Sequence, residues 1–187
     1  MDSKTRCAWC EKDDLYRDYH DNEWGNPVYD DDTLFEFLVL ETFQAGLSWY
    51  TILSKRANFR KAFDQFDYKK IAQYQEDKIQ ELMQDSGIIR NLLKIRGTIS
   101  NAKAFLDIQR EFGSFSKYIW DFIDHKPIIN DVNSIKQVPV TTPLSDLISK
   151  DLKKRGFKFV GSTVVYAHMQ ATGMVNDHIA DCWKRNP

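Results

Sequence analysis

The stretch LVLETFQAGLSW, residues 38–49, sets a carboxylate inside an apolar helix and follows it with a glycine and a tryptophan. At about 100° per residue, Glu41 shares a helix face with Leu34 and Leu38, whereas Glu36 points roughly the opposite way. The helix is apolar almost all round, which is typical of a helix in a protein core. We therefore expect the carboxylate of Glu41 to be buried.

A buried carboxylate needs a partner, and two kinds of partner suit Glu41. Buried acids are usually paired, so a salt bridge or a helix cap is the ordinary interpretation. The alternative is that the carboxylate faces a ligand. The helix alone does not decide between these two interpretations.

The length of 187 residues allows one substantial core or two small lobes that share a cleft, and we expect a single domain over residues 1–187. No stretch approaches the roughly 18 apolar residues of a membrane span. The N-terminal MDSKTRCAWC is polar and lacks the apolar centre of a signal peptide. We expect a cytoplasmic protein that does not enter a membrane.

The net charge of −1 does not indicate a nucleic-acid partner, but the charges are unevenly distributed. Residues 1–41 carry 12 acidic and 4 basic side chains, which leaves a net charge of +7 on the remainder. The densest basic run is KDLKKRGFK, residues 150–158. A basic face is compatible with this pattern, although a solvated helix end gives the same one.

Hydrophobic periodicity is helical nearly throughout and predicts an all-α fold. The predicted helices cover about residues 31–46, 48–65, 76–85, 90–111, 114–123, 143–155 and 160–183, the last with a break near Gly173. The expected N-caps and stops are Ser48, Ser114 and Thr142, and Gly113 and Gly156. Residues 124–142 predict an irregular connection or a short extended segment.

The segment ELMQDSGIIRNLLKIRG, residues 81–97, predicts a helix, a tight turn at Ser86 and Gly87, and a second helix. Such a hairpin can direct backbone N–H groups at a phosphate, because glycine allows close approach and a helix begins there with its positive dipole end. Any pair of antiparallel helices gives the same pattern.

The cysteines and histidines lie near the two ends of the sequence. His178 and Cys182 are four residues apart in a predicted helix, so both side chains can share a tetrahedral ion. Two N-terminal pairs can complete the site: Cys7 with Cys10 in CAWC, or Cys7 with His20.

The ordinary interpretation is that these are buried thiols and a core histidine. A structural zinc has a clear use, because chain ends fray and a closed four-ligand site contributes on the order of 10 kcal/mol to folding. A catalytic zinc requires an open coordination position. His125 and His168 have no ligand-spaced companions, so we interpret them as structural.

Aromatic residues are concentrated around the helix that carries Glu41. Singly, each is expected to pack in the core. Together with a buried acid they suit a flat cationic ligand, because each good cation–π contact is worth about 0.5 to 2 kcal/mol. The aromatic residues concerned are Trp9, Trp24, Trp49, Tyr16 and Tyr19.

Four segments resemble the DNA-3-methyladenine glycosylase I family, bacterial alkylation-repair enzymes of the helix-hairpin-helix superfamily. They are YHDNEWGNPVYDD (19–31), LETFQAGLSWYTIL (40–53), SGIIRN (86–91) and KKRGFKFVGSTVVYAHMQATGMVNDHIADC (153–182). The resemblance implies two helical lobes around a base-binding cleft, a helix-hairpin-helix element at about residues 76–111, and termini joined by a structural zinc.

The resemblance also assigns roles to individual residues. It implies one zinc per chain, held by Cys7, His20, His178 and Cys182, with Cys10 left as a free thiol. It makes Glu41 the essential pocket carboxylate. The residues implied in base binding are Trp9, Tyr16, Tyr19 and Trp49, with Trp24 as a wall behind them. The DNA-binding residues are Gly46 and Leu47 of a probing loop, and Gly87 of the hairpin.

The implied function is excision of 3-methyladenine from double-stranded DNA with alkylated bases, by a monomeric, monofunctional N-glycosylase of base excision repair. Many members of the superfamily place a catalytic Asp after the hairpin and some a Lys within it, and this sequence has no persuasive counterpart of either. We therefore expect no lyase activity. Two other functions share most of the features: a zinc-stapled module that binds a cationic ligand without cleaving it, and a zinc hydrolase with an open metal site.

Overall fold

The computed structural model describes residues 4–185, which form ten α-helices and one pair of short strands. The helices are α1 (Asp14–Asn22), α2 (Asp31–Gln44), α3 (Trp49–Leu53), α4 (Arg56–Ala62), α5 (Tyr68–Ile71), α6 (Glu76–Gln84), α7 (Leu92–Phe112), α8 (Phe115–Trp120), α9 (Pro143–Lys154) and α10 (Ser162–Ala171), and the strands are β1 (Ile128–Ile129) and β2 (Val175–Asn176). The prediction of a helical fold is confirmed. Within residues 4–185 there is no helix with the length and apolar character that crossing a bilayer requires.

Helix α2 is enclosed by other helices, as its sequence predicts. It contacts α3, α7, α8 and α10, and every residue from 34 to 43 is buried. Asp30 caps its first turn, since the carboxylate accepts a hydrogen bond from the backbone N–H of Thr33 at 2.8 Å. The expected burial of Glu41 is confirmed.

The opposite face of α2 is also covered, so Glu36 is not on a solvated side. Its side chain lies under α4, where Oε1 accepts hydrogen bonds from Arg56 Nε at 2.5 Å and Arg60 Nε at 2.9 Å. Glu36 therefore has cationic partners that satisfy a buried acid.

The single helix predicted over residues 48–65 is wrong. Helix α3 ends at Leu53, α4 follows from Arg56, and residues 64–66 then adopt positive φ angles of 50°, 58° and 58°. These left-handed residues stop the helix and turn Phe66 inward, where its ring stacks 6.3 Å from that of Phe63. Burial of Phe66 in the hydrophobic core therefore prevails over the local helical pattern.

In the helix predicted over residues 160–183, the expected break near Gly173 is confirmed, since α10 ends at Ala171. Gly173 has φ +68°, and a Cβ there would lie 2.3 Å from the backbone carbon of Asn26. The chain then enters β2, which pairs in parallel with β1 in the register Ile128 to Val175. His178 and Cys182 are therefore not four residues apart on a helix, and that part of the prediction is wrong.

Two helices are missing from the sequence prediction, α1 and the short α5. Asp13 begins α1 by accepting a hydrogen bond from the backbone N–H of Tyr16 at 3.0 Å. The other boundaries follow the predicted signals: Ser48, Ser114 and Thr142 cap α3, α8 and α9, and Gly113 terminates α7.

Candidate functional site

A cavity of about 320 Å³ lies beside the C-terminal half of α2. Helix α1 and the segment before it supply one wall, and α3 and α10 supply others. The cavity brings together every aromatic residue that the sequence analysis placed around Glu41. These aromatic residues are Trp9, Tyr16, Tyr19, Trp24 and Trp49.

Helix α1 explains how the aromatic wall is built. Tyr16 and Tyr19 are three residues apart on one helix face. The ring of Trp9 lies edge-on to that of Tyr16, with centroids 4.9 Å apart, and the ring of Tyr19 lies 5.3 Å from that of Trp49. These contacts are in the range that favours aromatic pairs, so the rings hold one another in place.

Glu41 reaches this cavity from α2, and within residues 4–185 it has no ion-pair partner. The residue is 4% exposed, and among residues 4–185 no group donates a hydrogen bond to its Oε2 atom. Burial alone raises the pKa of the Glu41 carboxyl to about 8. The salt-bridge interpretation is wrong, since the paired acid of α2 is Glu36.

The indole N–H of Trp49 is the second buried polar group of the cavity wall without a hydrogen-bond partner. No group in the described part of the chain accepts a hydrogen bond from it. A buried donor and a buried acceptor without partners are costly in a folded protein. Their presence in one cavity is what a site for a polar, flat ligand requires.

The sequence analysis missed other lining residues. Gln44 lies on α2 three residues after Glu41, and this spacing on a buried helix is the signal that could have found it. Gln170 comes from α10, and its Nε2 donates to the buried carboxylate of Asp177 at 2.8 Å. Residues 135–140 close one side of the cavity, and no local pattern places that loop there.

Four side chains from the two ends of the chain meet behind the aromatic wall. Cys182 Sγ lies 3.4 Å from His20 Nε2 and 3.4 Å from His178 Nδ1, and Cys7 Sγ lies 3.7 Å from His178 Nδ1. All four ligand atoms lie within 4.8 Å of one another, and all four residues are buried. Cys10 is buried but is not part of this group, which favours the pairing of Cys7 with His20.

The geometry fits a tetrahedral metal ion. With Zn–S bonds of about 2.3 Å and Zn–N bonds of about 2.0 Å, sulfur and nitrogen ligands of a tetrahedral zinc lie about 3.5 Å apart. Three of the four sulfur–nitrogen distances, those of Cys182 to both histidines and of Cys7 to His178, are 3.4 to 3.7 Å and match this spacing. The cluster could therefore hold a metal with four protein ligands.

The remaining imidazole nitrogens of the cluster are also bonded, as in many metal sites. His20 Nδ1 lies 2.8 Å from Asp21 Oδ1, and His178 Nε2 lies 3.2 Å from the backbone oxygen of Trp24. Arg6 binds the same Asp21 at 2.8 Å, so a cation supports this carboxylate. These partners fix which nitrogen of each ring faces the cluster.

Trp24 connects the cluster with the cavity. Its ring lies 4.5 Å from that of His178 and 5.1 Å from that of Trp9. Trp24 also lines the cavity itself. The four side chains of this cluster thus lie one aromatic layer behind the cavity, and not inside it.

The predicted probing loop, residues 44–47, follows the end of α2. Gly46 has φ +86° with open space where a Cβ would be, and Leu47 is 40% exposed beside it. The loop is tight, since the backbone N–H of Leu47 donates to the oxygen of Gln44 at 2.6 Å. An exposed leucine at a sharp turn presents an apolar side chain to the exterior.

The predicted turn at Ser86 and Gly87 is confirmed between α6 and α7. The N–H of Gly87 donates to Asp85 Oδ1 at 2.7 Å, so within the protein it is already bonded. A Cβ on Gly87 would lie 2.9 Å from Asp85 Oδ1 and 3.2 Å from the side chain of Asn58, so the turn is closely packed at this glycine. The second helix begins only at Leu92, after Asn91 as its cap.

The two histidines interpreted as structural lie outside this site. His168 is 3% exposed, and its Nε2 lies 3.1 Å from the backbone oxygen of Leu34. His125 is exposed and lies 2.7 Å from Asp121. Neither ring reaches the cavity or the metal cluster.

Comparison with known proteins places the chain in one family. The family model described as methyladenine glycosylase matches residues 9–185. DNA-3-methyladenine glycosylase of Haemophilus influenzae is 50% identical over 178 residues, which is 95% of this chain and 96% of that protein. DNA-3-methyladenine glycosylase 1 of Escherichia coli is 49% identical over 177 residues and 95% of both chains.

The fold agrees with this likeness. A structure concerned with 3-methyladenine recognition by 3-methyladenine DNA glycosylase I from Staphylococcus aureus superimposes with a TM-score of 0.94 at 35% identity. The match covers 100% of this chain and 99% of the Staphylococcus protein. The sequence match, the fold and the extent of both show that the chain belongs to the methyladenine glycosylase family.

Proposed function

We propose that the chain is a monofunctional DNA N-glycosylase that excises 3-methyladenine from alkylated double-stranded DNA in base excision repair. The relatives with about half of their residues identical are named for this activity, and the Staphylococcus protein recognises 3-methyladenine. The observation that carries the proposal is Glu41, a buried carboxylate that no cation of the described chain pairs with, inside an aromatic cavity.

A cationic base supplies the positively charged partner that Glu41 lacks within residues 4–185. Methylation at N3 gives adenine in DNA a delocalised positive charge, whereas unmodified adenine is neutral. In the free protein, burial holds the Glu41 pKa near 8, so the carboxyl is mostly protonated at neutral pH. A cationic ring beside it favours the ionised form, and the exocyclic amine of the base can donate to Oε2. Selectivity then arises from charge complementarity in a desolvated cavity.

The aromatic wall offsets the cost of extracting the base. Flipping a nucleotide out of a duplex costs a few kcal/mol, and less for a damaged base. Stacking on aromatic side chains returns about 1 to 3 kcal/mol per base. We assign this stacking and enclosing role to Trp9, Tyr16, Tyr19 and Trp49, with Trp24 behind them.

The reaction needs little leaving-group activation, because the methylated base departs as a neutral molecule. Water attacks C1′ as the C1′–N9 bond breaks, the bonding electrons neutralise the ring, and a proton from the water is released. We propose hydrolysis without strand cleavage, because the hairpin has no counterpart of the lysine that acts as a covalent nucleophile in some members of the superfamily. The part played by Glu41 is to hold and orient the cationic base.

DNA contacts are proposed for two neighbouring segments. Leu47 is exposed on a sharp turn next to the cavity, which suits it to fill the space that the flipped nucleotide leaves. Gly46 allows that turn. The hairpin around Gly87 is proposed to contact the phosphate backbone, with Gly87 providing the close packing of the turn.

For the metal cluster we propose one structural zinc per monomer. Cys7, His20, His178 and Cys182 would hold it with no coordination position left for water. Such an ion supplies folding free energy and no acid–base chemistry. Its place is to join the two ends of the chain behind the aromatic wall.

The test is release of free base from DNA treated with a methylating agent, with unmodified DNA as the control. We expect chromatography to show 3-methyladenine in the supernatant, with the DNA strand left uncut until the abasic site is cleaved chemically. Retention of methylated DNA without release would identify a binding module instead. Release that stops when metal is removed from a protein that stays folded would favour a zinc hydrolase.

A further inference from the structure

Lys94 is a buried lysine that neither the cavity nor the metal cluster uses. It is 7% exposed and lies in the first turn of α7, directly after the hairpin. Burial lowers the pKa of its ammonium, and no carboxylate of residues 4–185 offsets this effect. A buried cation without a counter-ion is costly, so it must be held by good polar contacts.

Those contacts are two backbone oxygens at the end of α2. The ammonium of Lys94 donates to the oxygen of Phe43 at 2.9 Å and to that of Ala45 at 2.8 Å. The last carbonyl groups of a helix lack partners within the helix, and its C-terminal end attracts cations. Ala45 belongs to the probing loop, residues 44–47, and Leu47 follows two residues later.

A second lysine makes the converse connection. Lys55 follows α3, on the far side of the probing loop, and its ammonium lies 3.3 Å from the oxygen of Ser86 and 3.2 Å from that of Gly87. Asn58 donates to the oxygen of Gly87 at 3.3 Å. The hairpin is thus bonded to both flanks of the probing loop. Lys94, just after the hairpin, bonds the flank before Leu47, and Lys55, after the loop, bonds the hairpin turn.

We propose that Lys94 is a positioning residue that fixes the probing loop to the hairpin, so that Leu47 enters the duplex in a defined place when the hairpin docks. This inference rests on the proposed function, since it assumes that the chain acts on a base in duplex DNA. Lys94 touches neither the base nor the reacting atoms. Its effect is exerted through the backbone of Phe43 and Ala45.

The variant Lys94→Met keeps a long apolar stem and removes the ammonium, and Lys103→Met on the exposed side of α7 is the matched control. We expect Lys94→Met to lower kcat/KM on duplex DNA with a single 3-methyladenine by about 10-fold, the scale of one lost charge-assisted interaction. Affinity for free 3-methyladenine, followed by tryptophan fluorescence, should stay within about twofold, a difference well below 1 kcal/mol. Lys94→Arg should restore part of the loss, and Lys103→Met should have no effect.

The double variant Leu47→Ala with Lys94→Met separates positioning from general stability. If Lys94 acts by placing Leu47, its substitution should cost nothing further once Leu47 is gone. Equal losses in both backgrounds, or a matching loss of free-base affinity, would overturn the proposal. Thermal unfolding of each variant fixes an assay temperature at which all are folded.

A last measurement does not depend on turnover. A duplex with 2-aminopurine opposite a stable abasic analogue reports insertion of an apolar side chain as a rise in fluorescence. We expect the rise with the wild-type protein and Lys103→Met, and a reduced rise with Lys94→Met. Unchanged insertion in Lys94→Met would refute the positioning role, whereas absence of base release by the wild type would refute the proposed function alone.

Discussion

Replacing each of the two buried acids of α2 by its amide should have opposite effects on stability. Glu36 and Glu41 are five residues apart on one helix, with 9% and 4% exposure. Glu36 is ion-paired with Arg56 and Arg60, whereas burial is the sole cause that shifts the Glu41 pKa. Glu36→Gln is therefore the matched control for Glu41→Gln.

The magnitude for Glu41 follows from its pKa, raised from 4.5 to about 8 by burial. Between these values the folded chain keeps a proton that the unfolded chain releases, so stability falls as pH rises. One pKa unit corresponds to about 1.4 kcal/mol, which gives a cost of about 3 kcal/mol at pH 7 and almost none at pH 4.5. Glu41→Gln removes the ionisable group, and this cost should disappear with it.

Glu36→Gln should do the reverse, because it removes one of the two carboxylates that pair with the buried Arg56. Breaking a buried pair costs about 3 to 5 kcal/mol, and we expect the lower end because Arg56 keeps a second carboxylate, Glu23, at 2.6 Å. Both variants should be measured by urea unfolding at pH 5, 7 and 8. The difference from wild type at each pH cancels the titration of all other groups.

The expected result for Glu41→Gln is a variant whose stability matches that of wild type at low pH and exceeds it at pH 7 and 8. Its excision of 3-methyladenine should be largely lost, with a measurable residual activity. A loss of stability comparable to that of Glu36→Gln would refute the reasoning. So would normal excision by the variant, because the carboxylate would then have no charge-dependent role in holding the base.

Three further outcomes are expected. Excision measured as kcat/KM should rise with pH up to about 8 in wild type, since ionised Glu41 attracts the base, and this rise should vanish in Glu41→Gln. Metal analysis should find one zinc per chain, which Cys10→Ser keeps and Cys182→Ser loses; loss of zinc in Cys10→Ser as well would favour the CAWC pair. Leu47→Ala should weaken binding to a lesion-containing duplex more than binding to the free base, and equal weakening would remove its role in the duplex.

The sequence predicts the core of this fold because that core depends on local patterns. Helix α2 is recognisable from an apolar run that no strand-like alternation interrupts, and α9 from its Thr142 cap and its stop near Gly156. The break near Gly173 is also readable, because glycine is a helix stop, whereas the break at residues 64–66 is not. It follows from the burial of Phe66 in the core.

In the candidate site, too, local sequence patterns predict some features, and others depend on three-dimensional packing. Periodicity places Glu41 on a buried helix face, yet it cannot show that the arginines of α4 reach Glu36 and not Glu41. Residue spacing likewise brought His178 and Cys182 together through a helix that does not exist. The structure brings them within 3.4 Å through a turn, in which Cys182 N donates to the oxygen of Ile179.

The metal cluster and the cavity are connected through the chain itself. Cys7 precedes Trp9 by two residues, and His20 follows Tyr19 directly. The backbone oxygen of Trp24 lies 3.2 Å from a ring nitrogen of His178. A metal at the cluster would therefore fix three aromatic rings of the cavity without entering it, while Glu41 is held independently by α2. The aromatic wall and the carboxylate thus depend on different parts of the fold, and base recognition requires both to be in place.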